Sequence, residues 1–452
     1  VHALIRLGAV LVPLNIRLSV EELSWQISDV HATLLVSDHS YALLAEEIAQ
    51  RVPEIARATV TMQIAAQQPS TGDPVHPHAT LQTGNVVVEA AIEASLHSLI
   101  DLDETQAIIY TSGTTGHPKG VIITYGMQWW NAVGSALNLG HDPTDRWLAC
   151  MPLFHVGGLS ILMRSVINGI SVILHEKFDA IAINRALREE RVTIISVVTV
   201  MLQRMLAALE AEQRGGGYPT TLRCVLLGGG PAPRPLLEDC ARLGIPVSQS
   251  YGLTESCSQA VTLPPTDALR KLGSAGRPLL PVQLKIVQDG QTTHAGEAGV
   301  IHLKGPTITP GYANRPQETA QTIQNGWLST GDMGYLDDEG YLYVLDRRND
   351  LIISGGENVY PAEIEAVLLS HPDVEEAGVC GLPDAQWGQV PIAFVQPHPG
   401  SNIDIAALQA YAAARLARYK QPRAIHIVEH LPRNASGKLV RRKLPDLLKK
   451  RL

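Results

Sequence analysis

The chain has no surplus of positive charge: 36 Lys and Arg against 44 Asp and Glu leave a formal net charge of −8. That excludes a global basic field for nucleic acid or an anionic membrane surface. The basic cluster from Arg441 to Arg451 reads most simply as a solvated face. No apolar run approaches the roughly 18 residues that a bilayer-spanning helix needs. Cysteine is sparse too. Cys150, Cys224, Cys240, Cys257 and Cys380 are odd in number, scattered and without metal-ligand spacing. They read as buried free thiols in a reducing cytoplasm, not as a disulfide framework. No secretory signal pattern opens the chain, and Val1 is not a methionine; VHALIRLGAVLVPLN starts as though already inside a helix and the strand after it.

What is present is a globular composition, 45% hydrophobic and 18% charged, over 452 residues. That length suggests at least two cores. From Val1 to about Ser274, short apolar runs (Thr33 to Val36, Ala107 to Tyr110, Ser171 to Leu174, Ile194 to Val198, Cys224 to Leu227) read as buried strands. Amphipathic stretches (Glu21 to Val30, Ala180 to Arg191, Pro235 to Leu243) read as helices between them. Layered α/β units with largely parallel strands are the expectation. Gln67 to Gly84 reads as a surface loop and Gly215 to Gly217 as a connector. After Gly276 the pattern changes to alternating strands (Val282 to Val287, Gly299 to Lys304, Gly340 to Leu345) with Asp-Gly and Glu-Gly turns, a compact antiparallel unit. Beyond Arg348 a smaller α+β pattern follows, with helices over Pro361 to Ser370 and Ile405 to Ala417 and strands near Glu376 to Val379 and Ile392 to Gln396.

The chain is organised around Tyr110 to Gly120, YTSGTTGHPKG. An apolar strand empties into Thr111, Ser112, Gly113, Thr114, Thr115 and Gly116, small residues whose N–H groups and hydroxyls can converge on an anion. Lys119 adds a positive charge. The Walker loop is excluded, because Pro118 and Gly120 flank the lysine where Gly and Ser/Thr are required. A Ser/Thr/Gly surface turn is the plain alternative for any shorter piece of this string. Downstream, Gln249 to Ser256 (QSYGLTES) offers an aromatic face at Tyr251, a hydroxyl at Thr254 and a hard oxygen ligand for Mg²⁺ at Glu255. Gly228, Gly229, Gly230 and Pro231 end a buried strand, and their backbone can approach a planar ligand closely. Asp332 in WLSTGD is a carboxylate suited to two ribose hydroxyls, although Thr-Gly-Asp alone is more often a turn.

Together these strings resemble the adenylate-forming superfamily of acyl-CoA synthetases, luciferases and adenylation domains of peptide synthetases. The resemblance runs through most of the chain from Asp101 onward, including DRRNDLIISGGENVYPAEIE (Asp346 to Glu365) and LPRNASGKL (Leu431 to Leu439). It implies a large N-terminal domain over residues 1–345, with an antiparallel β subdomain at about 277–345, a hinge at 346–350 and a small mobile α+β C-terminal domain over 351–452. It also implies that an opening segment precedes Val1. By the same resemblance, ATP and AMP are held by Thr111 to Thr115, Lys119, Gly229, Gly230, Pro231, Ser250, Tyr251, Gly252, Thr254, Asp332, Arg347 and Lys438. Glu255 binds Mg²⁺, and Asn349 is the hinge. Gly355, Gly356 and Glu357 line a tunnel for coenzyme A. His155 gates an acyl pocket lined by Val197, Thr199, Gly228 and Gly229.

The implied reaction joins a small-molecule carboxylic acid to coenzyme A through an acyl adenylate. Lys438, Thr254, Glu255 and His155 are the expected catalytic groups. No protein nucleophile is needed, and the chain has no Gly-x-Ser-x-Gly elbow at the site. Few aromatic residues fall in the pocket stretches Ser196 to Leu202 and Gly228 to Pro233, which favours a polar or charged acyl group over a long fatty chain. Another acyl- or aryl-CoA ligase, a free-standing adenylation domain that loads a carrier protein, and a nucleotide-binding regulator without turnover remain alternatives. Neither nucleic acid nor membrane is an expected partner, the expected location is cytoplasmic, and a homo-oligomer is left open.

Overall fold

The computed structural model describes residues 1–63, 78–83, 96–97, 99–111, 118–211, 217–229, 232, 234–346, 352–359, 361–432, 439 and 441–449. Its centre is a sheet that crosses from parallel to antiparallel pairing. Ser171–Leu174, Arg146–Ala149, Ile194–Val198, Cys224–Gly228 and Val247–Tyr251 lie side by side and run parallel. Val261–Leu263 then pairs antiparallel with Val247–Tyr251, and Ser274–Pro278, Leu342–Asp346, Trp327–Leu336, Gly299–Lys304 and Gln283–Gln288 continue that way. The compact antiparallel unit expected after Gly276 therefore extends one continuous sheet.

The parallel strands are apolar on both faces because helices cover both. Ile195, Val197, Val225, Leu227 and Val247 pack with Leu187, Leu202 and Met205 on one side. Trp147, Ile194, Cys224 and Leu226 pack with Ile161 on the other. Helix starts carry local signals: Asp179 caps Ala180–Glu189, and Ser19 with Glu22 forms a reciprocal capping box on Val20–Asp29. All five cysteines are buried and free. Burial pushes their thiols up, to about 12 for Cys257 beside the site and about 11 for Cys224, so they stay protonated near neutrality.

Three expectations are corrected. The strand of the phosphate-loop string is not part of the parallel layer. Thr105–Thr111 pairs antiparallel with Lys119–Thr124 as a two-stranded hairpin, since a short connection can only join antiparallel neighbours. Within the expected loop at Gln67 to Gly84, His78–Thr83 is a strand paired with Ala56–Gln63. The basic C-terminal run is not a fully solvated face: Arg441 bonds Glu365 at 2.5 Å and Leu444 is fully buried. Gly215 and Gly216 lie outside the described residues.

The smaller α+β unit is built on Ile352–Ser354, Glu357–Val359, Val374–Asp384, Gly388–Pro397 and Ala424–Ile427. Helices Pro361–Leu369 and Ile405–Ala413 bury Ile364, Leu368 and Leu408 against Val379 and Val395.

In the large sheet, Asp145 joins three segments: it accepts from Thr193 Oγ1 at 2.7 Å and from Arg223 Nε at 2.8 Å and Nη2 at 2.5 Å. Burial alone would raise its carboxyl, but the Arg223 and Thr193 hydrogen bonds outweigh it and hold the group below the usual range. Asp145→Asn should cost about 2–3 kcal/mol in urea unfolding at pH 7, below the value for a fully enclosed pair because Arg223 keeps some solvent. The native carboxyl is the stronger acid, so this stabilisation is complete above the unfolded value, about 3.9, and disappears as pH falls through the folded one. The gap between wild type and variant should close below about pH 4.

Candidate active site

The change from parallel to antiparallel pairing falls at Val247–Tyr251, and the C-terminal ends of the parallel strands meet there. Open α/β sheets bind ligands at such edges, where neighbouring connections part and leave a crevice. Val198, Gly228 and Tyr251 end three adjacent strands. His155 precedes helix Val156–Asn168, just after strand Arg146–Ala149.

The metal-ligand candidate is fixed by neighbours far away in sequence. Tyr312 Oη donates to Glu255 Oε1 at 2.9 Å, and Thr309 N donates to the Glu255 carbonyl at 2.8 Å. Thr309 Oγ1 also donates to the Ile122 carbonyl at 2.6 Å, and Ala313 N donates to Gly120 O at 2.8 Å. The Lys119 ammonium lies 5.2 Å from the centre of the Tyr312 ring. Tyr312 thus stands between the end of the phosphate-loop hairpin and Glu255. The Glu255 Oε2 atom has no protein partner among the described residues. A fixed carboxylate with one oxygen to spare suits Mg²⁺, which takes one or two carboxylates alongside phosphate oxygens.

Tyr251 does not offer the open aromatic face expected of it. Its ring is 2% exposed among Val282, Ile286, Ile301 and Leu303, and its hydroxyl donates to Asp332 Oδ2 at 2.8 Å. Val247, Gln249 and Tyr251 share one face of the strand, and at its end the ring packs into the core of the antiparallel layers. Val197 is corrected as well. It is 2% exposed in the central core, and because strand side chains alternate, Val198 points the other way. A Cβ on Gly229 would lie 3.0 Å from Val198 Cγ1, and one on Gly356 3.3 Å from Val198 Cγ2. Val198 is therefore flanked by the glycine loop of the large domain and by a hairpin of the small unit.

That hairpin, Ser354 to Glu357, turns through Gly355 at φ +58° and Gly356 at φ +85°. Two consecutive positive φ angles are the signature of a tight two-residue turn that matches strand twist. It delivers Glu357 to the large domain. Glu357 Oε2 meets His155 Nε2 at 3.0 Å, and Oε1 bonds the Arg17 guanidinium. Burial works against a charged Glu357, but its contacts with His155 and Arg17 prevail and hold its carboxyl below the usual range. Arg17 also lies 5.4 Å from the Phe154 ring centre.

Thr111 ends the first hairpin strand, its hydroxyl 3.4 Å from the Lys119 carbonyl. Ser250 pairs with Thr262, Thr254 opens a short 3₁₀ turn after Gly252, and Thr199 starts the helix after Val198. Ser112, Gly113, Thr114, Thr115, Gly230, Pro231, Arg347, Asn349 and Lys438 lie outside the described residues. The sequence reading missed Arg17, Tyr312 and Val198. Nothing local marks the first two, since Arg17 acts 340 residues away at Glu357 and Tyr312 57 residues away at Glu255; strand parity could have separated Val198 from Val197.

Residues 1–313 match the AMP-binding enzyme family, and residues 363–438 match the AMP-binding enzyme C-terminal domain. The chain belongs to the AMP-binding enzyme family. Over 450 residues, this AMP-binding enzyme is 52% identical to 2-succinylbenzoate–CoA ligase of Geobacillus kaustophilus, covering 100% of this chain and 85% of that protein. It also resembles o-succinylbenzoate CoA synthetase of Bacillus subtilis. A double mutant of that protein bound with its product analogue OSB-NCoA gives a TM-score of 0.84 at 43% identity, covering 98% and 85% of the two chains. The same enzyme with ATP and magnesium gives 0.65 at 43% identity, over 98% and 86%. This chain therefore superposes more fully on the product-analogue complex than on the complex with ATP and magnesium.

Proposed function

We propose that this chain is an AMP-forming acid–CoA ligase that converts 2-succinylbenzoate to 2-succinylbenzoyl-CoA through an acyl adenylate, with ATP, Mg²⁺ and coenzyme A. The observation that carries this reading is the Ser354 to Glu357 hairpin seated against His155 and Val198, in a chain that matches a 2-succinylbenzoate ligase over its own length and 85% of that protein's.

The chemistry follows from the charges. A carboxylate is a poor acylating agent because its leaving group would be oxide. Attack on the α-phosphate of ATP gives a mixed anhydride and expels pyrophosphate. Two anions must approach, so positive potential at the reacting phosphate lowers the barrier. Lys438, Lys119 and the N–H and hydroxyl groups of Thr111 to Thr115 supply it. Glu255 would hold Mg²⁺, which would supply charge neutralisation at the phosphates. Asp332, oriented by the Tyr251 hydroxyl, takes the ribose, with Arg347. In the second step the thiol attacks the same carbonyl and AMP leaves. Residues 351–452 turn about Asn349 within the hinge 346–350, withdraw Lys438 and present Gly355 to Glu357. In the docked arrangement Glu357 takes up His155 and so holds its ring to one side of the acyl group. Buried free cysteines support a reducing, cytoplasmic setting.

Arg164 is fully buried on the helix that starts after His155. It bonds Asn131 Oδ1 at 2.5 Å, stacks 5.3 Å from the Trp147 ring centre, and leaves Nε without a hydrogen-bond partner. No carboxylate pairs with it among the described residues. Burial pushes it down to about 10, still charged at neutral pH. Arg164→Met should cost about 1–3 kcal/mol in urea unfolding, because it strips Asn131 of its buried charge-assisted partner.

Product analysis tests the whole reading. Purified protein given acid, Mg²⁺ and ATP should yield AMP and pyrophosphate, with CoA-dependent turnover on 2-succinylbenzoate but not on benzoates or medium-chain acids. ADP and orthophosphate would refute it.

A further inference from the structure

A second contact joins the two units away from the hairpin. Lys420 follows helix Ile405–Ala413, is 4% exposed, and has a carboxylate on either side. Glu363 Oε1, from its own unit, lies 2.5 Å from Nζ; Glu22 Oε1, from the large domain, lies 3.0 Å away. The other Glu22 oxygen accepts from Ser19 N at 2.9 Å in the capping box. Ser19 Oγ in turn donates to the Arg415 carbonyl at 3.1 Å, and Asn15 Nδ2 donates to Tyr419 Oη at 3.0 Å. Segment 15–22 is thus stitched to segment 415–420 at three points.

One carboxylate would neutralise Lys420, so the second needs a reason. Two buried acids sharing one ammonium repel each other, and Glu363 Oε2 has no hydrogen-bond partner among the described residues. Burial first, and Glu22 in addition, push the Glu363 carboxyl up, while Lys420 pulls it back. Such a trio is a poor source of net stability but demands one geometry, because any displacement leaves a desolvated charge unpaired. Glu363 travels with Lys420; Glu22 does not. The Glu22–Lys420 contact therefore exists only while the small unit is docked as it is here.

We infer that Glu22 and Lys420 are a positioning pair for the thioester-forming step, selecting the arrangement in which the Ser354 to Glu357 hairpin lies against Val198 and His155. The inference rests on the two-step reading above. Neither side chain bonds His155, Glu357, Glu255 or Asp332, so the pair acts on where the small unit sits and not on the reacting atoms.

A double-mutant cycle scored separately on each half-reaction tests it. Adenylate formation is followed by pyrophosphate exchange, and thioester formation by single-turnover consumption of preformed acyl adenylate with CoA. Glu22→Gln keeps the capping box, which accepts Glu or Gln, and should slow the thioester step about tenfold, since Lys420 retains Glu363. Lys420→Met leaves Glu22 facing Glu363 and should slow that step about 10²-fold. The double variant should be no slower than Lys420→Met, because the repulsion is relieved. Pyrophosphate exchange should stay within about twofold of wild type throughout. Equal losses in both half-reactions, or additive effects in the thioester step, overturn the pair. Should Lys420→Met not fold, Glu22→Gln decides alone, and an unchanged thioester rate overturns it. A wild-type protein that makes no adenylate removes the reading and the inference together; normal wild-type turnover with a flat cycle removes only the inference.

Discussion

Lys438→Ala should lose about 10²- to 10³-fold in adenylate formation, the range for deleting one charge-stabilising donor in a water-poor site. Thioester formation from added 2-succinylbenzoyl adenylate should stay within about twofold of wild type. Both halves follow from one physical difference. In the first step a carboxylate and a phosphate must meet, and a cation between them offsets their repulsion. In the second the nucleophile is a thiol and the electrophile is already activated, so that cation has nothing to neutralise and would occupy the thiol's path. The split between half-reactions carries the information. An overall rate loss would be produced equally by a damaged fold, whereas loss in one step with the other intact would not. Equal loss in both would show that Lys438 serves a single arrangement, and the turning of the small unit would have to be abandoned.

Gly356→Val should give the opposite pattern. Gly356 has φ +85°, and a Cβ there would stand 3.3 Å from Val198 Cγ2. A β-branched residue suffers twice. Left-handed backbone costs about 1–2 kcal/mol for a side-chain-bearing residue, and forcing methyls into a packed contact costs about 1–3 kcal/mol more. The first cost is carried wherever the hairpin goes and shows as a small loss of Tm. Only the second depends on docking against Val198. Thioester formation should therefore fall about 10²-fold while adenylation changes little. Val198→Ala in the Gly356→Val background removes the methyl that obstructs docking and should restore part of the thioester rate. If it restores none, the hairpin turn itself is at fault and not its contact with Val198.

The sequence made the local chemistry legible. The alternation of apolar runs with amphipathic stretches is complete within a few residues, so its structural consequence could be read directly. Helix Ala180–Glu189 and strands Ser171–Leu174, Ile194–Val198 and Gly299–Lys304 lie where periodicity puts them. Errors arose where a neighbour decides. Tyr251 is a buried ring because the antiparallel layer packs on it, and YGLTES has no way to report that layer. Strand parity puts Val197 and Val198 on opposite faces, but only the covering helices decide which of them is core. Tyr312 gains its role by reaching both Lys119 and Glu255, residues that lie 193 and 57 positions before it in the chain.

The sequence by itself carried the candidate chemistry, because a Ser/Thr/Gly-rich string, the proposed metal-ligating and ribose-binding carboxylates and the proposed catalytic lysine are matters of residue type and order. Only the tertiary structure decided how the two units meet. Arg17 to Glu357, His155 to Glu357 and Glu22 to Lys420 join segments 202 to 398 residues apart. Contacts at such separations form when two independently packed cores settle against each other, a choice made by interface geometry that no local pattern encodes.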